Sequence, residues 1–234
     1  MWRKRFLSTA AVAMVAAGSA QATDFNVEIV NLTSGIYYTP FLVAAHTEGS
    51  RLFSVGQPAS AGLQEMAEGG GLDGLVATLT GIGATIETNP AGGVMAPGGR
   101  TDVDLNTDGT ANVRLSVVAM LLPTNDAFMG LNAITIPTEP GVYTYNVNAY
   151  DAGTEANDEV LNGGGAPGVP GMPADPGGLA GTGGTGVQTG AESPTVHIHR
   201  NALGDTDPTG GASDLDSTVH RWLNPVARVI VTVR

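Results

Sequence analysis

Residues 148–159 read Asn-Ala-Tyr-Asp-Ala-Gly-Thr-Glu-Ala-Asn-Asp-Glu and gather four carboxylates and two amides around one glycine, Gly153. Carboxylates brought together without neutralisation repel one another, and a hard cation relieves that repulsion. Calcium suits such a loop because it accepts several oxygen ligands at about 2.3–2.6 Å in a flexible shell. The plainer alternative is a turn, with Asp and Asn closing it and Gly153 supplying a positive φ. A second segment, 121–130, places Asp126 among apolar neighbours after a strongly apolar run. A carboxylate in that company needs a partner.

The alternating run Val142-Tyr143-Thr144-Tyr145-Asn146-Val147 is the strand that delivers the acidic loop. Residues 24–30 alternate with the same period, as expected of a strand with one face in a core and one in water. Residues 39–46 are continuously apolar, which suits a more fully buried strand ending in a hydrogen-bonded His46. Residues 58–68 read as a short helix stopped by three glycines, and residues 72–80 as one further helical turn. Asn106-Thr107-Asp108-Gly109 between two apolar-rich runs predicts a hairpin joining 101–105 to 112–122. The same residues open an EF-hand-like spacing from Asp104. Its twelfth position is Leu115, so the turn is the better reading. Residues 222–233 supply a β-branched strand placed centrally.

Three short motifs bear a family resemblance. Asp151-Ala152-Gly153-Thr154-Glu155 resembles the Asp-Ala-Gly-Thr-Asp motif of the spondin domain, the N-terminal-type module of F-spondin. Met120 to Gly130 resembles that family's Met-x-x-Pro-Ser-x-Asp-Trp-Phe-x-Gly. Gly56-Gln57-Pro58-Ala59-Ser60-Ala61-Gly62, followed by Ala67-Glu68-Gly69-Gly70, is similar to its Gly-x-x-Ala-Ser-x-Gly and Ala-Glu-x-Gly. The resemblance implies an all-β antiparallel β-sandwich (spondin/C2-like), extracellular placement, and calcium held by Asp126, Asp151 and Glu155. Ala127 stands where the family often has Trp, which thins the apolar cover. Glu155 replaces Asp, which lengthens one ligand arm by a methylene.

Residues 1–22 combine a basic Arg3-Lys4-Arg5, a short apolar stretch and Ala20-Gln21-Ala22, the pattern of an export signal cleaved before Thr23. The expected domain is 23–234, periplasmic, cell-surface or secreted, with no transmembrane segment. The 234 residues carry 10 basic and 22 acidic side chains, a formal charge of −12. Removing the basic triplet leaves seven bases, all arginine, and a charge of −15. Such a surface repels nucleic acid and anionic glycans. With no cysteine, thiol catalysis and cysteine-bound zinc are excluded. Residues 163–190, rich in glycine and proline, read as a flexible insertion. The dinucleotide-like spacing 181–186 within it neither follows a strand nor opens a helix, and is an accident of composition.

Two further clusters carry chemical possibilities. His197 and His199 share one face of a short strand and, with His220, could hold zinc or copper. Hydrogen-bonded histidines are the simpler reading. Asp205, Asp207, Asp214 and Asp216 space out an acidic loop that either takes a second calcium or is merely solvated. No nucleophile elbow, zinc-protease helix or phosphate loop is present, so the expectation is a non-enzyme. The sequence reading is therefore an exported calcium-binding module with a structural or adhesive role toward an extracellular protein or glycan. The alternatives are the histidine metalloprotein and a structural envelope component without metal.

Overall fold

The computed structural model describes residues 23–188, 193–209 and 211–234. The expected export signal, 1–22, lies outside the described residues. The chain forms β1 (Asp24–Asn31), β2 (Tyr37–Tyr38), β3 (Leu42–His46), α1 (Ala61–Gly69), α2 (Asp73–Gly81) and β4 (Thr85–Thr88). It continues through β5 (Arg100–Asn106), β6 (Arg114–Leu122), β7 (Ala127–Thr135), β8 (Gly141–Asp151), β9 (His197–Ile198) and β10 (Ala227–Val233). All pairings between these strands are antiparallel, in the order β4-β3-β6-β7-β8-β10-β1-β5, with β2 added to β6 and β9 to β8. The end strands β4 and β5 come back into contact, so the sheet nearly closes on itself. The fold is all-β, as expected.

Closure creates a main core on the concave face. Phe25, Val27 and Ile29 of β1 alternate inward against Val229, Val231 and Val233 of β10. Strands β3 and β6 are buried on both faces because two cores share them. Val117, Ala119 and Leu121 face the main core. Val118, Met120 and Leu122 face a second core under α1 and α2, with Leu63, Met66, Leu75 and Leu79. That double burial explains why these strands read as continuous apolar runs rather than alternating ones.

Both helices form near their expected positions. α1 starts at Ala61 rather than at Pro58 because Ser60 caps it, its Oγ accepting from Leu63 N–H at 3.2 Å. Gly70 ends it at φ 72°. α2 is a full nine-residue helix.

The expected hairpin between 101–105 and 112–122 is corrected. The turn exists, with Thr110 N–H bonded to Thr107 O and Gly109 at φ 71°. The strands it joins do not pair: β5 lies on β1, whereas β6 lies between β3 and β7. Burial decides this, since β6 has apolar side chains on both faces and needs an interior place that the half-exposed β5 cannot offer.

The glycine- and proline-rich stretch makes contacts with the body of the fold. Its described residues lie across the sheet end, with Met172 fully buried in the main core and bridged to Leu161.

Candidate functional site

A tight turn after β6 sets the first carboxylate. Thr124 Oγ donates to Leu121 O at 2.6 Å and accepts from Ala127 N–H at 3.2 Å, which fixes Asp126 immediately before β7. Asp151 is the last residue of β8, with Ala127 as its partner across the ladder, and Ala152 N–H donates to Asp126 O at 3.2 Å. Gly153 then turns the chain at φ 72°; a Cβ there would lie 2.6 Å from Thr195 N and 2.7 Å from Ser193 O, so only glycine fits. The turn folds Thr154 and Glu155 over Asp126. Asp126 Oδ2 accepts from Thr154 N–H at 2.8 Å, Thr154 Oγ at 3.2 Å and Glu155 N–H at 3.1 Å.

The three acids expected from the sequence are thus brought to one end of the sheet. All are buried: Asp126 and Asp151 completely, Glu155 to 8 % exposure. Asp151 Oδ1 accepts from Gly153 N–H at 2.7 Å and Oδ2 from Asn157 Nδ2 at 2.7 Å. Glu155 Oε2 accepts from Gly171 N–H at 3.1 Å and Asn125 Nδ2 at 3.4 Å. Asp126 Oδ1 and Glu155 Oε1 are different. Both are buried and have no hydrogen-bond partner.

Electrostatics follow from that environment. Burial, and then the Asp151 charge, raise the Asp126 carboxyl to about 7. Burial, followed by the charges of Glu68 and Asp126, raises Glu155 to about 8 against the pull of its hydrogen bonds. Among the described residues no arginine pairs with Asp126 or Glu155; the arginine ion pairs are surface contacts to Glu28, Glu48 and Asp104. The donor set is all oxygen, and two of its oxygens are buried and unsatisfied. In chemistry this fits a hard cation. As the side chains stand, however, no group of three or more His, Asp or Glu among the described residues is arranged to hold a metal ion.

Several polar residues around the site were not singled out by the sequence reading. Asn125 bridges two segments, donating to Asp158 Oδ1 at 2.8 Å and accepting from Glu159 N–H at 3.2 Å. Glu159 is buried and takes Leu203 N–H, Gly204 N–H and Ser213 Oγ on its two oxygens. Glu68 of α1 is buried as well. Only its place in the Ala67-Glu68-Gly69-Gly70 motif hinted at a role, because an acid inside a helical stretch normally reads as its solvent face.

The histidines divide. His197 and His199 both face Asp151, with Nε2 atoms 3.8 and 3.9 Å from its Oδ2. His199 Nδ1 accepts from Asn201 N–H at 3.0 Å, so its proton sits on Nε2 and is donated to Asn157 Oδ1 at 3.1 Å. Burial lowers its pKa to about 3 and keeps it neutral. His220 is placed elsewhere, its Nδ1 accepting from Asp216 N–H at 3.0 Å within its own turn. In the acidic loop, Asp205 accepts from Asp207 and Ser213 N–H, Asp207 from Thr209, and Asp216 from Thr218. Asp214 accepts from Leu161 and Gly184 N–H. Each of these four carboxylates closes a loop through backbone amides. His46, as expected, is buried and bonded, its Nε2 2.8 Å from Ser116 Oγ.

A family model described as Spondin_N matches residues 20–159, more than half of the chain. That span ends at the last residue of the acidic loop and includes Asp126, Asp151 and Glu155. No curated protein matches the chain. Among the described residues no helix is long and apolar enough to cross a membrane.

Proposed function

This chain belongs to the Spondin_N family, and from that membership and its buried acids we propose that it is an exported, calcium-binding β module. Its role is structural or adhesive, toward a protein or glycan outside the cell, at the cell surface or in the periplasm. The observation that carries the reading is the pair of buried, unpartnered oxygens, Asp126 Oδ1 and Glu155 Oε1. An unsatisfied carboxylate oxygen out of water is unfavourable by several kcal/mol or forces protonation. Bound calcium supplies the positive charge that, among the described residues, no arginine brings to Asp126 or Glu155. Asp126 and Asp151 present carboxylates from adjacent strand ends, while Glu155 reaches in from the loop with one extra methylene. Holding an ion requires the three side chains to draw closer together than they stand here. The loops they anchor then form a fixed surface at one end of the sheet, the usual place for recognition on a rigid scaffold.

Native mass spectrometry of protein purified without chelator, with thermal melts in calcium and in EDTA, tests this. One retained calcium per chain and a lower melting temperature in EDTA are expected. No retained metal and identical melts would sink the reading. Zinc or copper at His197 and His199 is a second reading, favoured by the approach of both imidazoles to Asp151. Retention of either metal, lost on replacing both histidines by alanine, would select it.

A further inference from the structure

Helix α1 buries an acid that the three-carboxylate reading leaves unused. Glu68 is fully removed from solvent, and among the described residues no arginine pairs with it. Its Oε1 accepts from Gln64 Nε2 at 2.8 Å and its Oε2 from Gly168 N–H at 2.6 Å. Three residues further on, Gly171 N–H donates to Glu155 Oε2 at 3.1 Å. One short loop of the glycine-rich stretch therefore holds both carboxylates. The approach is built on glycine. A Cβ on Gly69 would lie 2.0 Å from Gly165 O, and one on Gly171 would lie 2.1 Å from Asn162 Oδ1.

We propose that Glu68 is a fourth acidic residue of the cation site, extending it from the ends of β7 and β8 to the C-terminal turn of α1. The proposal rests on the calcium reading of Asp126, Asp151 and Glu155. Calcium takes six to eight oxygen ligands, and three carboxylates binding through one oxygen each leave at least three positions to fill. A carboxylate has about four lone-pair directions, so the bonds from Gln64 and Gly168 leave Glu68 capacity to spare. The unsatisfied Glu155 Oε1 and Asp126 Oδ1 supply the independent sign that this acidic group awaits a cation. The Ala67-Glu68-Gly69-Gly70 motif then has a physical reason: the acid serves the site, and the glycines admit the loop that caps it.

The alternative is that Glu68 only accepts the two hydrogen bonds. Glu68→Gln separates the two, because the amide keeps an oxygen for Gly168, its NH2 can donate to Gln64 once the Gln64 amide flips to accept, and the charge is removed. Calcium titration calorimetry and melts at pH 8 would compare wild type, Glu68→Gln and Asp126→Asn. Expected for Glu68→Gln is a calcium affinity lower by about ten-fold, a smaller calcium-induced rise in melting temperature, and an unchanged or higher melting temperature in EDTA. Wild-type calcium affinity in Glu68→Gln, beside loss of binding in Asp126→Asn, would overturn the fourth-residue role and leave the proposed function standing. A lower melting temperature in EDTA with an unchanged calcium shift would overturn it too, marking Glu68 as a structural acceptor. Absence of calcium binding by wild type would overturn both.

Discussion

Replacing Asp126 by asparagine should stabilise the cation-free protein above neutral pH, although it alters a buried, hydrogen-bonded residue. Asp126 is raised from 3.8 to about 7, first by burial and then by the Asp151 charge. A carboxyl whose folded-state pKa is raised favours the fold when protonated. That contribution is complete below about pH 4 and is lost as pH rises through about 7. Each pKa unit corresponds to about 1.4 kcal/mol, so a shift of about three units makes ionised Asp126 unfavourable by roughly 4 kcal/mol at pH 8. For a domain of about 200 residues, 1 kcal/mol moves the melting temperature by about 2–4 °C. About 1.2 of those three units are already lost by pH 5, so in EDTA Asp126→Asn should reduce the fall in melting temperature between pH 5 and pH 8 by roughly 5–10 °C relative to wild type. The asparagine oxygen can still accept from Thr154 and Glu155, which preserves the turn. Carboxylates remote from the site titrate alike in both proteins, and Glu155, which the Asp126 charge pushes up, loses that push in the variant and changes the profile in the same direction. Calcium should raise the melting temperature of wild type at pH 8, raise it less at pH 5, and leave the variant nearly unmoved. Superimposable pH profiles in EDTA, or equal calcium shifts in both proteins, would refute the reasoning.

Three more outcomes are expected. Met172→Ala should lower the unfolding free energy by about 2–5 kcal/mol in urea titrations, because Met172 is fully buried in the main core; a neutral effect would mean that the loop lies off the body. Asp214→Ala strands the Leu161 and Gly184 amides and should destabilise by about 2 kcal/mol or more, with calcium affinity unchanged by calorimetry. Gly153→Ala should both destabilise the protein and weaken calcium binding, since its Cβ would collide with the 193–195 backbone at φ 72°; wild-type melting and affinity would contradict the turn described.

Strands with one buried face were legible by alternation, and the doubly buried β3 by its continuous apolar run. The alternation of Phe25, Val27 and Ile29 shows in the residues themselves, and so does the β-branched run of β10. The helix at 61–69 was legible from its small and apolar residues, but its start depended on the Ser60 hydroxyl, which outranked Pro58. The β5–β6 connection was misread because an Asp-Gly turn reports a chain reversal and says nothing about which strands then pair. That choice rests on the second core under the helices, which is a long-range property. The site divides in the same way. Asp126, Asp151 and Glu155 were legible through motifs, and their burial through apolar neighbours. The roles of Glu68 and Asn125 depend on contacts across tens of residues, for which local spacing leaves no trace. In the glycine-rich stretch composition suggests loose chain, and it leaves unseen that glycine is also what lets backbones touch at Gly69 and Gly165.

The pairing of β1 with β10 has a consequence for how the protein is made. β1 lies between β5 and β10, with Phe25 opposite Val233 and Asn31 opposite Ala227. Residues near the start of the described chain thus find one of their two neighbours only about two hundred positions later. Contacts of such separation form slowly and late. A nascent polypeptide lacking residues 227–233 holds an open sheet with β1 and β8 each missing a neighbour. Final assembly waits for the last strand to be synthesised.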